Sequence, residues 1–158
     1  MILWHAGLAL AIVWNVFRDP ALDHRLVVAG ALLPDVVDLA WGRPAYAHTL
    51  LAPVVVLVAV MLGTRRRRTA RRRLLAVPIG MFLHLVLDGI WMRPGLLWWP
   101  LFGPAFPPGR LVPSPGVALA EEVAGAWALG WFVWRFRLRE PQRRREFLHR
   151  GRLAAGSS

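Results

Sequence analysis

The sequence predicts an all-α integral membrane protein: a bundle of about five short transmembrane helices with an interfacial Trp/Pro-rich segment. Three observations predict it. The 158 residues are 56% hydrophobic, with a mean hydropathy of +0.43. The formal net charge is nevertheless +11, although only 18% of residues are charged. A soluble domain with so little charge is not expected to be so basic, and the conflict disappears if apolar runs sit in lipid with arginines at their ends. Third, nine tryptophans against one tyrosine fit aromatic belts at a membrane interface. The apolar content excludes disorder. The absence of cysteine excludes a disulfide framework and a thiolate metal site.

The elements follow in order. Residues 1–17 are apolar except for His5, and they lack the basic start and small-residue cleavage site of a signal peptide. Residues 26–41 form a second run, broken by Pro34, Asp35 and Asp38, and residues 49–63 form a third. Arg65 to Arg73 then holds seven arginines. Residues 74–91 form a fourth run, with His84 and Asp88, and residues 92–116 are rich in proline, glycine and tryptophan. A fifth run, 117–134, contains Glu121 and Glu122, and eight arginines lie between Arg135 and Arg152. A bilayer core needs ~20 apolar residues per helix, with roughly 17 tolerated, so these runs sit at or just below the limit. The alternative, a soluble helical bundle with basic tails, is disfavoured because the third run has no polar face. Residues 1–134 read as one membrane-embedded domain. Residues 135–158 read as a basic cytoplasmic tail with a frayed end.

Arginine placement gives the orientation. The 65–73 run and the tail are expected in the cytoplasm, which puts the N-terminus outside. His5, Asp35, Asp38, His48, His84, Asp88, Glu121 and Glu122 then all fall in the outer halves of their runs. None of these residues entered the orientation argument.

Embedded polar groups are costly, so they face the bundle and mark function. Asp35 and Asp38 share one helix face at i, i+3, and His84 and Asp88 share one at i, i+4. Pro34 removes a backbone donor and is expected to unwind the run locally, freeing carbonyls. Imidazole and carboxylate together are the ligand set of zinc, manganese and iron. Taken singly, each group has a plainer role: a His84–Asp88 hydrogen bond, a helix cap at Asp35 and Asp38, a core histidine at His5. Glu121 and Glu122 point ~100° apart, so at most one reaches a shared site. The arginine run reads as an orientation signal. Nucleic acid is not an expected partner, because no aromatics interleave it.

His5, the segment Gly30-Ala-Leu-Leu-Pro-Asp-Val-Val-Asp38, Arg43 to Thr49 and HLVLDGIWMRPGLLWWP from His84 to Pro100 occur in an order that resembles the membrane-bound metal-dependent hydrolases, whose bacterial members include inner-membrane-associated, LexA-binding hydrolases. The resemblance covers roughly residues 1–105. It departs at Leu39, where a histidine is frequent, at Pro44 in place of glycine, and at Thr49 in place of serine. It implies an all-helical membrane protein with a divalent-metal site whose ligand candidates are His5, Asp35, Asp38, His48, His84 and Asp88. A remoter likeness to zinc-dependent phospholipases and nucleases suggests phosphoesters.

The expected function is therefore a membrane-bound, metal-dependent hydrolase. It would turn a metal-activated water on an ester or phosphoester, of a lipid-type substrate, as a phosphoesterase. Asp38, His48 and Asp88 are the candidate catalytic residues, and Arg43 and Arg93 are candidates for holding the anionic substrate. The divalent metal is expected to be zinc, with manganese or iron as alternatives. The lipid bilayer is the expected partner. The competing functions are an ion- or proton-coupled small membrane transporter and a non-catalytic membrane scaffold with a degenerate metal site. A shared metal requires ligand atoms within about 3–4 Å of one another. Separate pairings would instead leave Asp35 far from His84.

Overall fold

The computed structural model describes residues 1–110 and 113–153. Helices α1 (Ile2–Phe17), α2 (His24–Asp38), α3 (Leu51–Gly63), α4 (Arg68–Leu74), α5 (Ala76–Leu87), α6 (Pro94–Leu97), α7 (Pro115–Arg135) and α8 (Pro141–Arg150) are joined by turns, and there is no strand among the described residues. The frayed end expected at 154–158 lies outside the described residues.

The helices are as expected, but the five-span membrane bundle is not. Among the described residues, only α7 is long and apolar enough to cross a membrane. Helices α1, α2, α3 and α5 have 16, 15, 13 and 12 residues. At 1.5 Å per residue they reach about 18–24 Å, short of a hydrocarbon core of about 30 Å. The runs look longer in the sequence because apolar residues continue past the carboxylates that end the helices. After Asp38 the chain tightens into a 3₁₀ turn, Leu39–Trp41, and after Asp88 into another, Ile90–Met92. The Trp/Pro-rich segment is part of the body as well. Ile90 and Leu96 are buried against Leu85, and the rings of Tyr46, Trp99 and Phe106 pack edge-on or stacked at 4.8–5.2 Å.

Two glycine contacts set the helix packing. A Cβ on Gly80 of α5 would lie 2.2 Å from the Val27 carbonyl oxygen, and one on Gly30 of α2 would lie 2.2 Å from that of Val77. Only hydrogen atoms fit between these backbones. The same holds for α1 and α7, where a Cβ on Gly7 would meet the Gly125 carbonyl oxygen at 2.2 Å. Below these contacts Ala9, Val13, Leu22, Val27, Ala31 and Ala76 form a buried apolar cluster joining α1, α2 and α5. Pro34 does not unwind α2, which runs through it to Asp38. Helix α8 folds back on the body, with Phe147 and Leu153 packed near Leu10, Phe132 and Phe136. By contrast, α3 buries only Pro53 and exposes most of its large apolar side chains.

Candidate metal centre

The α2–α5 contact fixes two ends of one site. Asp35 lies in the last turn of α2, His84 in the last turn of α5, and Asp88 caps α5. The third contributor arrives through a loop. After Gly42, whose φ of 61° lets the chain reverse, residues Tyr46–His48 form a 3₁₀ turn that drives His48 inward. Helix α1 lays His5 across the group, its ring stacked on that of His84 at 4.0 Å.

Asp35, His48, His84 and Asp88 each offer one ligand atom, and these atoms all lie within 4.8 Å of one another. His84 Nε2 is 3.1 Å from His48 Nε2, 3.2 Å from Asp88 Oδ2 and 3.7 Å from Asp35 Oδ1. His48 Nε2 is 3.5 Å from Asp35 Oδ1 and 3.6 Å from Asp88 Oδ2. Atoms bound to one ion at about 2.0–2.2 Å have separations of this size. The group can therefore hold a metal ion. The two histidines are fully buried, and the two aspartates are partly open.

The orientation of each ring supports the fit. His48 Nδ1 donates to Asp38 Oδ2 at 2.7 Å, and His84 Nδ1 donates to the Ala31 carbonyl at 2.7 Å. In both cases the outer nitrogen carries the proton and Nε2 faces the centre, the arrangement that fixes metal-binding histidines. Two neutral Nε2 lone pairs at 3.1 Å repel unless a proton or a cation lies between them. Asp35 Oδ1 is buried and has no hydrogen-bond partner among the described residues. An ion in the group would satisfy all three atoms.

The six sequence candidates thus divide by role. Asp35, His48, His84 and Asp88 converge. His5 touches the group from outside: its Nδ1 donates to the Met1 carbonyl at 2.8 Å, and its Nε2 lies 2.8 Å from Asp88 Oδ1. Asp38 stands behind His48 rather than in the group. Its oxygens accept the backbone N–H groups of Ala45 and Ala47 at 2.6 and 3.2 Å, as well as the imidazole. It is neither an outward-facing cap nor a ligand in this arrangement. Burial pushes the Asp88 carboxyl up, but hydrogen bonds with His48, His5 and His84 outweigh it and hold the group well below the usual carboxylate range. Burial likewise depresses the basicity of His48, but the carboxylates of Asp35, Asp38 and Asp88 raise it to about 10.

A cavity of about 300 Å³ opens beside Asp88, lined among others by Arg93, Arg110 and Glu121. Arg93 was a sequence candidate for substrate binding. Arg43, the other, does not line this cavity. Its guanidinium lies over the Phe106 ring at 5.9 Å and reaches the Phe106 carbonyl at 3.5 Å. Arg110 carries no signal in the sequence. Glu121 had one legible signal, its position at the same depth as the other acids, but periodicity did not choose between it and Glu122. The fold does: Glu122 accepts the Leu3 N–H at 3.0 Å, while Glu121 faces the cavity with Oε2 buried and without a partner among the described residues. No protein-family model, no curated protein and no solved structure matches the chain, so the chemistry of the site rests on its own geometry.

Proposed function

We propose that the protein is a metal-dependent hydrolase acting on phosphoesters. One observation carries the reading: two imidazoles with their outer nitrogens tied down turn both Nε2 atoms toward two carboxylates, one of which has a buried oxygen without a partner. Two histidines and two carboxylates suit zinc first, and manganese or iron as well. A metal bound there would lower the pKa of its water to ~7 and supply hydroxide at neutral pH.

The remaining roles fall to the chain itself. Asp38 keeps the His48 proton on Nδ1. Arg93 and Arg110 face the cavity beside Asp88, where guanidinium groups pair with phosphate oxygens in bidentate fashion. Glu121 is the carboxyl on the cavity wall outside the ligand group, placed to give a proton to a leaving alkoxide. The apolar cluster around Ala9, Val13, Val27 and Ala31 lies directly beneath the group, which supports hydrolysis over a polar path for transport. The exposed apolar side chains of α3, among them Val55 and Leu62, support contact with lipid and a lipid-type phosphoester as substrate.

Metal analysis of the purified protein, paired with hydrolysis of bis(p-nitrophenyl) phosphate, tests the reading. About one zinc per chain and zinc-dependent turnover are expected, both lost in His84→Ala. Less than about a third of an equivalent of any divalent metal, unchanged by His84→Ala, would sink it.

A further inference from the structure

At the end of the molecule away from the His/Asp group, a cavity of about 530 Å³ is lined by Arg25, Arg68, Arg72, Arg73, Arg150 and Arg152. These residues come from three distant stretches of sequence: the first turn of α2, the arginine run on α4 and the end of α8. Their convergence is built rather than incidental. The His24 N–H donates to the Gly151 carbonyl at 2.8 Å, and the Leu153 N–H donates to the Pro20 carbonyl at 2.9 Å. The Arg25 guanidinium donates to the Leu148 carbonyl at 2.7 Å. The C-terminal segment is thereby fastened over the start of α2, which brings Arg150 and Arg152 to the arginines of α4.

Carboxylates neutralise only part of this charge. Asp23, almost fully buried, binds Arg25 at 3.0 Å and Arg73 at 2.8 Å. Asp19 binds Arg72 at 2.7 Å. Among the described residues, Arg68, Arg150 and Arg152 have no carboxylate partner, and His149 and Thr69 add further donors on the wall. Guanidinium groups repel one another, and gathering three uncompensated ones on a concave wall focuses a positive field there. Asp23 meanwhile fixes the direction of two neighbouring guanidinium forks.

We propose that this cavity binds a multiply charged phosphate group, on either a phospholipid headgroup or a soluble pyrophosphate compound. Planar guanidinium forks match phosphate oxygens, whereas a stretch of lysines would supply only point charges. The volume exceeds what one inorganic phosphate fills, and three uncompensated charges call for more than one phosphate charge. The proposal is independent of the metal centre and stands or falls separately.

Calorimetric titration of the full chain with inorganic pyrophosphate, at about 0.15 M salt to suppress loose ion pairing, tests it. Saturable binding with a Kd below about 1 mM is expected. The double variant Arg68→Gln/Arg152→Gln, whose side chains are exposed, should bind at least about tenfold more weakly with unchanged helix content. Arg137→Gln/Arg139→Gln removes equal charge outside the cavity and should change binding by less than about twofold. Phosphatidylcholine vesicles with and without phosphatidic acid separate the two sources. Capture that requires phosphatidic acid, is lost in Arg68→Gln/Arg152→Gln and is competed by pyrophosphate identifies a lipid headgroup. Pyrophosphate binding without such capture identifies a soluble ligand. No saturable binding in either arm, or equal losses in the two double variants, overturns the proposal. So does a DNA duplex that binds more tightly than both probes with equal losses in the two variants, which would mark a general polyelectrolyte surface.

Discussion

Asp38 and His48 form a fully buried pair, with the carboxylate Oδ2 2.7 Å from the imidazole Nδ1. The pair decides which nitrogen of His48 faces the metal group. Asp38 also ties down the loop that delivers His48, through the backbone N–H groups of Ala45 and Ala47. Asp38→Asn replaces one acceptor oxygen with a donor that faces other donors. The expected result is a loss of about 1–3 kcal/mol in urea-monitored stability. Metal affinity should fall about 10–100-fold, as when a histidine loses its orienting carboxylate. Unchanged affinity in a metal titration would remove Asp38 from the site.

The ligands should not be equivalent. His84 Nε2 sits among three other ligand atoms at 3.1–3.7 Å, whereas His5 stacks on the His84 ring and reaches the carboxylates from outside, at Asp88 Oδ1 and the edge of Asp35. His84→Ala should leave no retained metal after desalting. His5→Ala should retain metal with affinity lowered about tenfold, the effect of losing a group that positions a ligand. Equal losses in both variants would place His5 in the ligand group itself.

Much of this site was legible before folding. The i, i+3 and i, i+4 spacings put Asp35 with Asp38 and His84 with Asp88, and the shared depth of the acids and histidines grouped them at one end. The division of labour was not legible. Asp35 and Asp38 share a helix face by spacing alone, yet the reversal at Gly42 brings Ala45 to His48 around Asp38 and leaves Asp35 facing the centre. Glu121 joins the cavity through tertiary contacts of α7, which packs on α1 through Gly7 and Gly125, and Arg110 reaches it from the segment before α7. The membrane spans failed for a related reason. Hydropathy does not distinguish a run that is one helix from a helix followed by an apolar 3₁₀ turn, as at Leu39–Trp41 and Ile90–Met92.

The close approach of α2 and α5 gives a stability test coupled to the site. A methyl group on Gly80 meets the Val27 carbonyl oxygen and the Ala31 nitrogen, both backbone atoms that no rotamer change can move. Gly80→Ala should cost about 1–3 kcal/mol as the helices separate. Because Asp35 and His84 ride on those helices, metal affinity should fall with it. Gly130→Ala is the contrast: it lies within α7 with nothing within 4 Å of the added carbon. There the gain in helix propensity should stabilise by about 0.5–1 kcal/mol and leave metal binding unchanged. Thermal unfolding of the two variants in chelator, followed by metal titration, separates packing from ligation.

Burial opposes charge on His48, but the carboxylates of Asp35, Asp38 and Asp88 around it raise its pKa to about 10 in the metal-free protein. The unfolded chain titrates near 6.5. A folded pKa above the unfolded one means that the imidazolium stabilises the metal-free fold fully below about pH 6.5, and that this contribution is lost as pH rises through about 10. Chelated protein should therefore lose stability steadily across that window. Metal binding needs the bare Nε2, so at neutral pH an incoming ion must expel the proton. Metal affinity should accordingly rise by about tenfold per pH unit over the same window, opposite in sign to the trend in metal-free stability. Calorimetry at pH 7 in buffers of different ionisation enthalpy should register about one proton released per ion bound. Uptake with no proton released would show that His48 is neutral before the metal arrives, and the charge balance drawn among Asp35, Asp38 and Asp88 would then have to be reassigned.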